Sequence, residues 1–255
     1  MNRRRWLTGA AAGALGAMLT ACNRLTANAG VQQTLARAEG LTRRAQRLVV
    51  DRKALAQEFA AAEISRDFRA NGSISPGDPG YRALVESGFA DWRLVIDGLV
   101  ERPMALSLAQ LRSQPARTQI TRHDCVEGWS AIGKWSGARL GPLLDKAGLK
   151  PQARYIVFHC ADTLDPNVSP ALGRYYVSID LIDAYHPQTI LAYDMNDAPL
   201  AVKHGAPLRL RVERQLGYKH AKYLMRIEAV ADLAGIGGGQ GGFWEDRGYE
   251  WYAGI

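Results

Sequence analysis

After about residue 67 the sequence never keeps one hydrophobic period for long. The runs that read as strands are short: residues 93–96, a strand end over 118–121, 154–159, 223–230, with further short elements at 176–182 and 189–193. In 154–159 the apolar run Tyr155-Ile156-Val157-Phe158 is unbroken, as in a strand buried on both faces. The intervening helices are equally short. Ser107 can N-cap a helix through Leu111, and Gly148 can close one over 140–147 as its C-cap glycine. Strands and helices do not alternate regularly, and no repeat or heptad pattern occurs. The pattern predicts an α+β fold. A length of 255 residues and a hydrophobic fraction of 47% allow a sizeable core in one large domain or two small ones.

The first 66 residues read differently. Asn2-Arg3-Arg4-Arg5-Trp6-Leu7 reads as a twin-arginine export signal, followed by an Ala- and Gly-rich apolar run over 8–20. That run is short of the ~20 residues a bilayer-spanning helix needs. Leu19-Thr20-Ala21-Cys22 resembles a lipobox, which would make residues 1–21 a signal peptide and Cys22 the lipidated first residue. The alternative is a plain signal peptide with an incidental cysteine. The twin-arginine route carries proteins already folded. Residues 22–66 read as a helical N-terminal arm. Val31, Leu35, Ala38, Leu41, Ala45 and Leu48 recur at threes and fours, and Leu55, Phe59 and Ala62 resume the pattern, so the expected helix runs from 31 to about 59. Arg37, Arg43, Arg44, Arg47, Arg52 and Lys53 decorate it. It is either an arm lying on anionic lipid or a solvated helix with one packed stripe. Residues 67–255 form the main domain.

Net charge does not point to nucleic acid. The formal charge is +7, but without Arg3, Arg4 and Arg5 it falls to +4, and no aromatic-basic motif or zinc-finger spacing is present.

Chemistry concentrates in Arg122-His123-Asp124-Cys125-Val126-Glu127-Gly128-Trp129-Ser130. One cysteine sits among charged and aromatic residues; Gly128, Gly133 and Gly137 let backbone approach something bulky, and Trp129 and Trp135 could wall that space. Cys125 has three readings: a disulfide with Cys160 in an oxidising compartment, a zinc site with His123, His159 and Cys160, or a thiolate ligand to a softer metal. Zinc fits poorly, because adjacent His159 and Cys160 on a strand point to opposite faces. Further along, Leu208, Leu210 and Val212 alternate with Arg209, Arg211 and Glu213, as in a half-buried strand with its charges on one face. Residues 235–242 read as a mobile glycine-rich loop, and 243–252 as a charged aromatic tail that needs something to pack on.

Three stretches in one order carry a resemblance: the Cys125 segment, His204-Gly205-Ala206-Pro207-Leu208-Arg209, and Gly217-Tyr218-Lys219-His220-Ala221-Lys222. Together they resemble the sulfite oxidase family of molybdenum enzymes, and within it the bacterial periplasmic branch. The likeness runs from about Phe68 to the C-terminus. It implies a mixed-sheet molybdopterin-binding domain in which Cys125 binds molybdenum and one molybdopterin supplies two dithiolene sulfurs. It implies cofactor contacts at His204, Arg209, His220, Ala221 and Lys222, and, through looser matches, at Asn71 and Thr163. Arg can grip the terminal phosphate bidentately while Lys neutralises it. The implied reaction is two-electron oxygen-atom transfer in the periplasm on a small S- or N-oxide, or on sulfite. Electrons would pass through a separate partner such as a membrane haem protein, because the chain has no Cys-x-x-Cys-His. The membrane would be reached through a lipid anchor. A lipid-anchored binding module that keeps the fold without catalysis is the reading from another class.

Overall fold

The computed structural model describes residues 28–255, so the expected export signal and Cys22 lie outside the described residues. The chain divides into two compact units, Met1–Asp51 and Arg52–Ile255.

The described part of the first unit is the helix Ala29–Val49. Asn28 caps it, its side-chain oxygen accepting from the Gly30 amide at 2.9 Å. The helix ends where Val50 turns extended, short of the expected residue 59. The apolar spacing that resumes at Leu55 and Phe59 belongs to a strap on the second unit. Glu58 bridges Thr121, the Phe59 amide donates to the Ile120 carbonyl at 2.9 Å, and the Ala56 amide donates to Gln188. A three-to-four spacing does not by itself make a helix; here backbone bonds to the β3 edge hold the stretch extended, and Leu55 and Ala62 are exposed.

The second unit is built on two five-stranded sheets. In the first, β1 (Leu94–Gly98), β2 (Met104–Leu106), β5 (Tyr155–Thr163), β6 (Arg174–Asp180) and β10 (Leu224–Val230) stand in the order β2-β1-β10-β5-β6. The β1–β10 pair is parallel and the other pairs are antiparallel, so the sheet is mixed. In the second, β3 (Ala116–Asp124), β4 (Ser130–Arg139), β7 (Ile190–Met195) and β8 (Ala198–Pro199) run in order, and β9 (Arg209–Arg211) also pairs with β7. The α+β expectation therefore holds, with a mixed sheet.

The short helices behave as their caps dictate. Ser107 caps Leu108–Arg112 in a reciprocal box with Gln110, and Gly148 closes Leu140–Ala147 with φ +72°. Leu140, Leu143, Leu144 and Ala147 from that helix join Ile156 and Phe158 of β5 and Ile227 of β10 in the main core.

Two expectations change. β9 was read as half-buried with an exposed charged face, but Arg209, Leu210 and Arg211 are all buried. Alternation shows that the two faces differ; it does not show that the polar face meets water. The glycine-rich stretch is tied down. Asp246 accepts from the Gly238 and Gln240 amides at 2.8 and 3.0 Å, and the Gly241 carbonyl accepts from Ser178 at 2.5 Å. The tail beyond it packs back on the domain: Phe243 donates its amide to Tyr176, Leu216 donates to Ala253, and Lys219 and Glu245 form a buried ion pair at 2.5 Å.

Candidate functional site

The β3–β4 hairpin presents Cys125. The Cys125 amide donates to the Trp129 carbonyl at 2.9 Å and the Cys125 carbonyl accepts from the Gly128 amide at 3.1 Å, while Gly128 takes φ +84° to make the turn. Asp124 buttresses the loop by accepting from Ser130 at 2.5 Å and from Arg122. Cys125 is half-buried and free, and Cys160 is free and buried, so the structure holds no bridge between them. Among the described residues no cluster of His, Cys, Asp or Glu has metal-site geometry, and His159 pairs with Glu228 at 2.9 Å.

Cys125 opens onto a cavity of about 450 Å³. Its lining includes the polar side chains Asn71, Asp162, His220 and Lys222 and the aromatic side chains Tyr218, Trp244 and Tyr249. Around it lies an unusual concentration of buried polar atoms that have no partner. Asn71 Oδ1, Asp162 Oδ1 and His220 Nδ1 belong to residues that line the cavity, and His204 Nδ1 and Nε and Nη2 of Arg209 belong to residues outside its lining. Most buried polar groups in folded proteins are hydrogen-bonded. A cluster of orphans at one cavity is what a polar ligand would complete.

The charges agree. Arg209 is fully buried on β9, and its guanidinium makes one bond, to the His204 carbonyl at 3.3 Å. Burial, then repulsion from Arg211, pulls it down from 12.5 to about 9. Lys222 donates to the carbonyls of Asn71 (2.6 Å), Ser73 and Lys203 (3.1 Å); burial, then Arg209, lowers it to about 7. His204 falls to about 4 for the same two reasons. Arg209 acts electrostatically on Cys125, His123, His204, His220 and Lys222 alike, which places it at the centre of the group.

Two other cations are already neutralised. Arg211 donates two hydrogen bonds to Glu213 at 2.6 and 2.8 Å, and Lys219 is held by Glu245. Arg209 therefore stands out as a buried cation without a carboxylate partner.

The imidazoles carry defined tautomers. His220 donates from Nε2 to the carbonyls of Val212 and Gln215, which leaves Nδ1 as a buried acceptor. Arg211 donates to His123 Nδ1 at 3.1 Å, so the proton sits on Nε2. Burial first, then the surrounding cations, holds both rings neutral. Gly217 makes room for His123, because a Cβ there would lie 2.5 Å from the ring.

Of the residues expected from sequence, Asn71, Cys125, His204, Arg209, His220 and Lys222 come together, with Ala221 fully buried between the last two. Thr163 does not. It is exposed at the end of β5 opposite Arg174, and the preceding Asp162 faces the cavity instead. β5 runs through Thr163, beyond the expected end at residue 159, and that extension sets which side chain turns inward. Sequence reasoning also missed Phe68, a buried ring packed against His123, Trp129, Trp135 and His204. Trp135 lies fully buried beneath Arg209 and Arg211, and Trp129 bonds Glu127 at 3.0 Å. The tail's contribution to the cavity was missed as well; the density of aromatics after residue 242 was the available signal.

Residues 83–234 match the family described as oxidoreductase molybdopterin binding domain. An Azospira oryzae chain named as a protein-methionine-sulfoxide reductase subunit is 35% identical over 93% of this chain and 82% of its own length. The mitochondrial sulfite oxidase of Drosophila melanogaster is 38% identical over 62% of this chain and 28% of its own. The catalytic subunit of a protein-methionine-sulfoxide reductase from Xanthomonas campestris is 34% identical over 56% of this chain and 46% of its own. The chain thus spans most of the first relative and under half of the other two.

Proposed function

We propose that this chain, which belongs to the oxidoreductase molybdopterin binding domain family, reduces S- or N-oxides in the periplasm by two-electron oxygen-atom transfer. It is a molybdopterin-dependent oxidoreductase of the sulfite oxidase type, with a molybdenum cofactor. In the reaction an S-oxide takes up two electrons and two protons and leaves as the thioether and water.

One observation carries the site assignment: the buried guanidinium of Arg209, with Nε and Nη2 unpartnered and its one bond made to a carbonyl and not to a carboxylate. A buried cation of that kind is costly unless an anion meets it. A phosphate-bearing pterin fits. Arg209 would bind its phosphate, Lys222 would add positive charge, and Asn71, His204 and His220 would bond its polar edges beside Ala221. Cys125 would hold the metal. Burial raises its thiol, and Arg209 and Arg69 favour the thiolate that a metal takes. When bound, the molybdenum centre supplies the two-electron redox change. The residues of the chain position it and shape what reaches it.

S-oxide reduction is favoured over sulfite oxidation by charge. An anionic substrate needs several free cations, because desolvating it is costly. Arg211 and Lys219 are neutralised by Glu213 and Glu245, and Lys222 is spread over three carbonyls. A neutral S-oxide needs one donor and an apolar wall. The names of the Azospira and Xanthomonas relatives point the same way.

The export signal at Arg3, Arg4 and Arg5 and the lipobox at Cys22 support periplasmic placement on a membrane through a lipid anchor. Electrons then come from a separate partner, such as a membrane haem protein. The test is a side-by-side steady-state assay on protein from a molybdate-supplied host. With a reduced dye, turnover of S- or N-oxides is expected to exceed turnover of sulfite with an oxidised acceptor. Efficient sulfite oxidation with negligible S-oxide reduction would overturn the reading.

A further inference from the structure

Part of the cavity's lining comes from the tail, which lies beyond the residues that match the family. Phe243, Trp244 and Tyr249 all line the cavity that Cys125 opens onto, together with Tyr218. The four rings form one continuous surface. Trp244 and Tyr249 are stacked at 5.3 Å and 29°, Phe243 meets Trp244 edge-on at 5.2 Å, and Tyr218 meets Tyr249 edge-on at 5.2 Å. Phe243 is 3% exposed and serves as the base, whereas Trp244 is part-buried and Tyr249 is 40% exposed. The outer two rings therefore offer apolar surface to the cavity.

This surface is preformed. Glu245, next to Trp244, is buried against Lys219, whose ammonium also donates to the Trp251 carbonyl at 2.9 Å. Tyr218 donates to the Glu250 carbonyl at 2.5 Å, and Arg247 packs over the Phe243 ring while donating to its carbonyl at 2.9 Å. The tail is thus fixed on both sides of the Trp244–Tyr249 pair, so little ordering cost falls on a ligand that settles there.

We propose that Trp244 and Tyr249 are specificity-determining residues that select S-oxides carrying an extended apolar or aromatic substituent over dimethyl sulfoxide. This rests on the S-oxide reading above and names the substrate class of the same site. The S–O group is directed toward Cys125, which lines the same cavity, and the substituent lies along the aromatic rings. Aromatic pairs gain from ring geometry beyond simple burial, and a dimethyl compound has too little surface to use it.

The experiment compares wild type, Trp244→Ala, Trp244→Phe and Tyr249→Ala as cofactor-loaded full chains. Turnover of methyl p-tolyl sulfoxide and of dimethyl sulfoxide is measured with a reduced dye, and binding of methyl p-tolyl sulfoxide is measured by calorimetry. The ratio of kcat/KM for the aryl substrate to that for the dimethyl substrate is expected to fall about tenfold in Trp244→Ala, through KM, with binding weakened by a similar factor. Trp244→Phe should recover most of it, and Tyr249→Ala should fall between. An unchanged ratio with unchanged binding overturns the proposal. If wild type reduces neither S-oxide, the S-oxide reading fails by itself and binding decides the wall: aryl sulfoxide bound by wild type and lost in Trp244→Ala supports it, and absence of binding overturns it. Thermal unfolding of each variant separates a lost wall from a lost fold.

Discussion

Replacing Arg209 by Met should have opposite effects on the cofactor-free and cofactor-loaded protein. Arg209 is buried completely, and its fall from 12.5 to about 9 corresponds to roughly 5 kcal/mol by which the charged form is disfavoured in the folded state. Part of that is recovered by the bond to the His204 carbonyl and by the Trp135 ring at 5.3 Å. Methionine fills similar space without a charge. Replacing buried ionic groups by apolar ones of like volume stabilises by ~1–4 kcal/mol in favourable cases. Cofactor-free Arg209→Met should therefore be more stable than cofactor-free wild type by about that range. With cofactor present the sign reverses, because each lost hydrogen bond to a charged group costs ~1.5–3 kcal/mol and cofactor content falls. Urea unfolding followed by tryptophan fluorescence reads both states, using protein from hosts with and without cofactor synthesis. Arg209→Met that destabilises the cofactor-free protein would refute the idea that this cation waits for an anion.

Three further outcomes are expected. Lys222 sits at about 7 instead of 10.5 and His204 at about 4 instead of 6.5, so between each pair of values the unfolded chain binds more protons than the folded one. Stability of the cofactor-free protein should then rise with pH from about 4 to 6.5, with buried His123 and His220 acting in the same direction and Asp162 opposing them, and again from about 7 to 9, above which the raised Cys160 thiol and the raised tyrosines oppose Lys222; denaturant midpoints that fall across either window would contradict this. Lys219→Met leaves the Glu245 carboxylate buried and unpaired and should cost ~3–5 kcal/mol, most of which returns in Lys219→Met/Glu245→Leu; equal losses in single and double variants, read by thermal unfolding, would show that the pair is not the tail's anchor. Cys125→Ser, at a half-buried turn position, should change stability by less than about 1 kcal/mol while abolishing activity and altering the metal's absorption spectrum; full activity with an unchanged spectrum would remove Cys125 from the metal.

What the sequence determined by itself was local or chemical. Ser107 and Gly148 end their helices through bonds to residues a few positions away, so their roles are legible in one dimension. Cys125, Arg209 and Lys222 were singled out because the three stretches that hold them resemble the sulfite oxidase family, and that resemblance implies a thiolate ligand and a phosphate grip. Tertiary structure decided the rest, and in each case the cause is a partner far away in the chain. The stretch after Val50 is not helix because Phe59 pairs with Ile120 on a sheet edge. The charges of β9 are buried because β7 pairs along one edge of it and Glu213 and His123 close over Arg211. Thr163 faces water because β5 continues to it, which turns Asp162 inward. The tail walls the cavity because Lys219 draws Glu245 into the interior from 26 residues away. Alternation and spacing report that a residue has a preferred face; whether that face meets water, a cofactor cavity or another strand depends on contacts that form only when the chain closes on itself.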